Sequence, residues 1–154
     1  MKSELIIMTY SSRDEAFRTR VALEMLHNSH SLGLETSVIL TKNLAGQVTL
    51  HERRMLHDDL RIPENRLRGR LAGAILRDSD KTIHILVAAG LDTLFLEEVT
   101  SAFKPNGSVL LIYISQNDIV DTQRLLSTLP QFRGTLYHTT FSEKAEEQLL
   151  TQLV

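Results

Sequence analysis

Apolar positions along this chain come as short dense runs and as longer spaced stripes, and the two patterns alternate. The densest run is Ser108 to Ile114, SVLLIYI, apolar at almost every position and entered from the turn Lys104 to Gly107. So short a run, bounded by Pro, Asn and Gly, predicts a strand covered on both faces, and hence the centre of a sheet. Glu4 to Tyr10, ELIIMTY, predicts a first strand. Behind it, Ser12 and Glu15 have the spacing of a capping box that opens a helix. Phe17, Val21, Met25, Asn28 and Leu32 then recur at helical intervals, Ala22 and Leu26 widen the stripe, and Gly33 supplies a left-handed stop. This stripe is the expected core face of the first helix.

Thr36 to Lys42 and Gln47 to Glu52 read as the arms of a hairpin turned by Asn43 to Gly46. In the second arm Val48 and Leu50 alternate with Gln47, Thr49 and His51, so one face meets solvent. Strand, helix, strand, strand is the opening of a ferredoxin-like α/β sandwich. Between Arg53 and Leu76, Pro63 followed by Leu67, Leu71, Ala74 and Ile75 predicts a helix, with Gly69 and Gly73 as positions for close packing. Lys81 to Ala89, KTIHILVAA, is apolar and β-branched and reads as an extra strand or a buried extended segment. A helix follows over Leu91 to Phe103, capped by Asp92 or Thr93 and obliged to stop before Pro105.

Beyond the central strand, Ser115 and Asp118 resemble a second capping box, and Ile119, Thr122, Leu125, Leu126 and Leu129 form the stripe behind it. Gly134 to Phe141 is a β-branched and aromatic strand. Ser142 caps a last helix, with Glu143, Glu146 and Glu147 near its positive end and Ala145, Leu149 and Leu153 facing inward. The expected fold class is α+β, a ferredoxin-like α/β sandwich with an extra C-terminal strand and helix, in a single domain over residues 1–154. A ferredoxin-like sheet with one open face would expose an apolar patch, and the chain is therefore expected to form a homodimer.

Composition narrows the class. At 154 residues, 42% hydrophobic and 23% charged, the chain can bury roughly two-thirds of its unfolded surface without a covalent staple. It has no cysteine, which excludes disulfides, thiolate metal sites and a cysteine nucleophile, and fits the cytoplasm. The apolar run near the N-terminus is too short for the core of a signal peptide, and no run approaches the length of a membrane span. A net charge of −2 argues against general nucleic-acid binding.

The opening strand and helix, the hairpin, the segment GLDTLFLEEVTSAFKPNGSVLLIYI and the closing FRGTLYHTTFSEKAEEQLL resemble an uncharacterised bacterial family, a domain of unknown function described as predicted membrane proteins. The resemblance covers residues 3–55 and 88–153. In that family the two parts flank a long glycine-rich apolar segment that enters the membrane. Here the corresponding insert, 56–87, is short and carries Arg61, Arg66, Arg68, Arg70, Arg77, Asp78, Asp80 and Lys81, so no span is expected. The resemblance implies an architecture and no catalytic residues.

Candidate chemistry is sparse. His51, His57 and Asp58 form a loose metal-ligand set, with Glu52 and Asp59 beside them. His27 and His30 lie three apart where the helix dipole alone favours histidine, and His84 and His138 read as half-buried hydrogen-bonders. Arg66 and Arg70 share a helix face and suit an anionic small molecule or an acidic partner, while Arg68 points nearly opposite. Gly90, in Ala-Ala-Gly before a helix, offers backbone donors to an anion but lacks the full phosphate-loop pattern. Catalytic residues are not identified and no cofactor is expected. The function read from the sequence is a non-enzymatic, self-associating domain that binds a partner or small ligand. The alternative is a small hydrolase or transferase using histidine and carboxylate groups, or an anion held near Arg66 and Arg70.

Overall fold

Ser108–Ile114 is the middle strand of a five-stranded sheet and is buried along almost its whole length, as its unbroken apolarity predicts. The structure, a computed structural model, describes residues 3–26, 37–52, 63–114 and 119–153. Its elements are β1 (Ser3–Tyr10), α1 (Glu15–Leu26), β2 (Val38–Lys42), β3 (Val48–Glu52), α2 (Pro63–Ala72) running into a π-helical turn (Gly73–Arg77), and α3 (Ser79–Ala88). Then come α4 (Thr93–Ala102), β4 (Ser108–Ile114), α5 (Ile119–Thr128) with a 3-10 turn (Leu129–Gln131), β5 (Thr135–Phe141) and α6 (Glu143–Leu153). The protein is thus α+β.

The strand order is β3-β2-β4-β1-β5, and every neighbouring pair is antiparallel. Because β1 and β2 both run against β4, they are parallel to each other, and α1 carries the chain across the strand between them. The same reasoning makes β4 and β5 parallel across β1, joined through α5. The hairpin forms as predicted, but its second arm, β3, lies at the outer edge beyond β2.

Both faces of the sheet are covered. Ile6, Met8, Tyr10, Ile39, Leu110 and Ile112 pack with Ala16 and Leu23 of α1 and Leu125 of α5. Leu5, Ile7, Leu40, Val109, Leu111 and Tyr113 meet α2, the π-helical turn, α3, α4 and α6 on the other side. This corrects the expectation of an open face: Val48 and Leu50 are partly buried against that second core. Gly73 is buried, and Gly69 lies against the side chain of Glu52, so the glycines are used within the chain.

Two element assignments also change. Lys81 to Ala89 lies in and just after a helix, α3, despite its β-branched residues. Leu86 and Ala89, three apart, are buried while Val87 is exposed, a helical spacing hidden within a near-continuous apolar run. Thr82 supports the turn before it, donating to the carbonyls of Ala74 (2.9 Å) and Asp78 (3.0 Å). In α1 the buried positions are Ala16, Thr19 and Leu23, whereas Val21 and Met25 are exposed. Apolar residues occur on every side of this helix, so their spacing does not fix its rotation. No helix among the described residues is long and apolar enough to cross a membrane.

Candidate functional site

The sheet presents one end where β1 and β2 finish and β4 and β5 begin. There the turn Lys104 to Gly107 is closed by the Gly107 N–H on the Lys104 carbonyl (3.0 Å), with Pro105 at its second position and Asn106 at φ 66°. That is the backbone a type II turn requires, and asparagine tolerates it. The turn is tied to β2: Asn106 N–H donates to the Lys42 carbonyl (2.8 Å), and Lys42 N–H donates to the Gly107 carbonyl (3.1 Å). Lys42 Nζ in turn reaches the Phe103 carbonyl at the end of α4 (2.6 Å) and lies 4.5 Å from the Phe103 ring centre.

The next residue, Ser108, is fully buried and fixes the start of α1. Its hydroxyl donates to the Ser12 carbonyl (2.7 Å) and accepts from the Ala16 N–H (3.1 Å). A first-turn backbone donor of α1 is therefore satisfied by the central strand, in the manner of a cap borrowed from another element.

Beside this junction lies a polar cleft of about 420 Å³, lined by Ser12, Arg13, Asp14, Phe17, Thr41, His51 and Asn106. His51 Nε2 and Thr41 Oγ1 share a hydrogen bond of 3.0 Å across the β2–β3 hairpin. The edge of the His51–Phe17 pair is T-shaped, with ring centres 5.4 Å apart, and Arg20 sits 5.8 Å from the Phe17 ring centre. Burial first, then the positive charges of Arg13 and Arg20, hold the His51 pKa below its usual value. The same arginine field favours an anion in the cleft, at the positive end of α1. Among the described residues Asp14 is the one acidic lining residue, and its carboxylate is 4.0 Å from Arg18.

The sequence candidates lie apart. His51 lines this cleft, whereas His57 and Asp58 lie outside the described residues. Among the described residues no three His, Asp or Glu side chains are grouped to hold a metal ion. Arg66 and Arg70 are both exposed on α2, and Arg68 is buried at 4% exposure, facing away from them. Gly90, at φ 106°, ends α3: its N–H bonds the Val87 carbonyl and the Leu91 N–H bonds the Leu86 carbonyl, the pair of contacts that closes a Schellman stop. The helix after it begins with Asp92, whose side chain accepts from the Leu94 N–H (3.0 Å).

Arg13, Thr41 and Asn106 are cleft residues that sequence reasoning did not single out. Only Asn106 carries a local signal, its place in the Pro-Asn-Gly turn. No family model, curated protein or solved structure matches the chain.

Proposed function

We propose that this protein is a non-enzymatic domain that binds a small anionic ligand in the cleft between α1 and the β2–β3 hairpin, and that it self-associates. The observation that carries the ligand reading is the meeting of Arg13, His51, Thr41 and the amino end of α1 around one polar cleft. The field of Arg13 and Arg20 at His51 gives that cleft its sign. A small hydrolase or transferase draws less support, because the hydrogen-bond partner of His51 is a threonine hydroxyl rather than a carboxylate.

The fold is read as ferredoxin-like in the same proposal. With β3 set aside, the order β5-β1-β4-β2 and the two crossovers through α1 and α5 follow the ferredoxin-like pattern. Membership of the bacterial family rests on the two architectural segments, and a cytoplasmic location rests on the absence of cysteine and of a spanning helix among the described residues.

A thermal-shift series with inorganic phosphate, sulfate, acetate and a nucleoside monophosphate tests the ligand reading. At least one of these anions is expected to raise the melting temperature of the wild type and to have little effect on Arg13→Gln or on His51→Ala. Equal shifts in the wild type and both variants would remove the cleft from consideration.

A further inference from the structure

A second cleft, of about 450 Å³, lies on the other flank of the residues that open α1, and Tyr10, Ser11, Glu15, Lys104 and Arg133 belong to its lining. It adjoins the first cleft at three points of the chain. Ser11 lines the second and Ser12 the first, Glu15 the second and Asp14 the first, and Lys104 and Asn106 take one side each of the turn before β4. Consecutive Cα atoms stand about 3.8 Å apart, and the ends of a β-turn come within about 7 Å of each other. The wall between the clefts is therefore one chain segment and one turn thick. Ser108 stiffens it, since its hydroxyl joins the Ser12 carbonyl to the Ala16 N–H.

The second cleft also suits an anion. Lys104 and Arg133 are exposed there, and among the described residues neither side chain is engaged in an ion pair or a hydrogen bond. Glu15 is the one carboxylate among the described lining residues, so the cations outnumber it. Tyr10 is 4% exposed, and its hydroxyl has no hydrogen-bond partner among the described residues. A buried donor left in that state is costly, and an anionic oxygen beside it supplies the acceptor. Arg133 adds a planar fork of donors that matches phosphate and carboxylate.

We infer that the ligand of the first cleft carries two anionic groups, phosphate or carboxylate, and that Lys104 and Arg133 hold the second group while Arg13 holds the first. The inference rests on the ligand reading above and extends it across the wall. Holding one group makes capture of the other intramolecular, so affinity rises only for a linker that spans the wall. Isothermal titration of the full chain with methylphosphonate and with alkylene bisphosphonates of increasing chain length tests this. At one linker length a bisphosphonate is expected to bind, one per chain, about tenfold or more tightly than methylphosphonate. Lys104→Gln and Arg133→Gln are each expected to lower that ratio toward unity, with circular dichroism showing each variant folded. Glu15→Gln, which takes away the opposing charge, raises it. A ratio near unity at every length, or one that ignores Lys104 and Arg133, overturns the second group alone. So does binding of two bisphosphonates to one chain. No binding of either probe, or binding of methylphosphonate that ignores Arg13→Gln, overturns the ligand reading itself.

Discussion

The phenol of Tyr113, on the central strand, donates to Glu146 Oε2 on the last helix. The same oxygen accepts from the Ser3 hydroxyl at the start of β1, and Glu146 is only 3% exposed. One carboxyl group thus joins two neighbouring strands to the helix that covers them. Removing it takes a charged acceptor from two buried hydroxyls at once, and hydrogen bonds to a charged group are worth more than neutral ones. Glu146→Ala is expected to destabilise the protein by about 2–4 kcal/mol, and Tyr113→Phe by about 1–2 kcal/mol. Urea unfolding of the two variants measures both; a Glu146→Ala value within 0.5 kcal/mol of wild type, on the order of a surface change, would contradict the buried role.

Gly134 has φ 119°, and a Cβ there would stand 2.7 Å from the Thr9 carbonyl and 2.7 Å from the Tyr10 ring. Both the backbone and the space exclude a side chain. Gly134→Ala is expected to cost about 2 kcal/mol or more, since it combines strain with a backbone clash. Gly46, at φ 86° but with nothing near its Cβ position, is the control and is expected to lose about 1 kcal/mol in the same unfolding measurement.

Burial pushes the Tyr10 phenol up to about 12, and the charge of Glu15 pushes in the same direction. An unfolded tyrosine titrates near 10. The folded protein therefore holds the proton more tightly, so this contribution is intact below pH 10 and is lost as pH rises toward 12. Alkaline unfolding of the wild type should steepen across that window, by roughly 2–3 kcal/mol relative to Tyr10→Phe. Parallel pH curves for the two proteins would show that Tyr10 ionises without restraint.

His51 has the opposite sign. Its pKa is lowered, so protonation works against the folded state as pH falls below about 6.5, its ordinary value. An anion in the cleft favours the protonated ring, and its affinity is expected to rise as pH falls through that range. Calorimetric titration with the anion chosen by the thermal-shift series, at pH 5.5 and 8 as rough limits of the histidine range, should show this difference in wild type and its loss in His51→Gln.

Lys42 Nζ holds the carbonyl at the end of α4 while desolvation and then Lys104 lower its pKa. Lys42→Met keeps most of the stem but removes the donor and the charge over Phe103. The expected loss is about 1–2 kcal/mol, and hydrogen exchange should show the last turn of α4 opening more readily. Unchanged protection at Ala102 and Phe103 would assign that bond no share in holding the helix.

What the sequence made legible was whatever local pattern decides. The unbroken run of β4 marks a strand buried on both faces, and Ser142 marks the start of α6, where its hydroxyl accepts from the Ala145 N–H (3.2 Å). Tertiary contacts decide the rest. The β-branched residues of α3 favour a strand locally, yet its helical packing against the π-helical turn prevails. Thr19 belongs to the buried face of α1 although it is polar, while apolar Met25 is 83% exposed. Glu146 reads as a residue favouring a positive helix end, because the groups that bury it, Ser3 and Tyr113, stand 143 and 33 residues away. The cleft was equally hidden: its lining comes from α1 and the residues before it, both arms of the hairpin and the turn before β4. Only His51 among those residues stood out by type.

The position of β1 also sets an order of assembly. Its two neighbours are β4 and β5, so this strand, first in sequence, has no partner until Ser108 and the residues after it exist. On the ribosome, where about 5–20 residues are added each second, that interval lasts several seconds. The hairpin β2–β3 can pair early, but the central ladder must wait for contacts of long sequence separation, which fold slowly. Throughout synthesis of the middle helices, the apolar run Leu5 to Met8 is the segment of the nascent chain that a chaperone has most reason to hold.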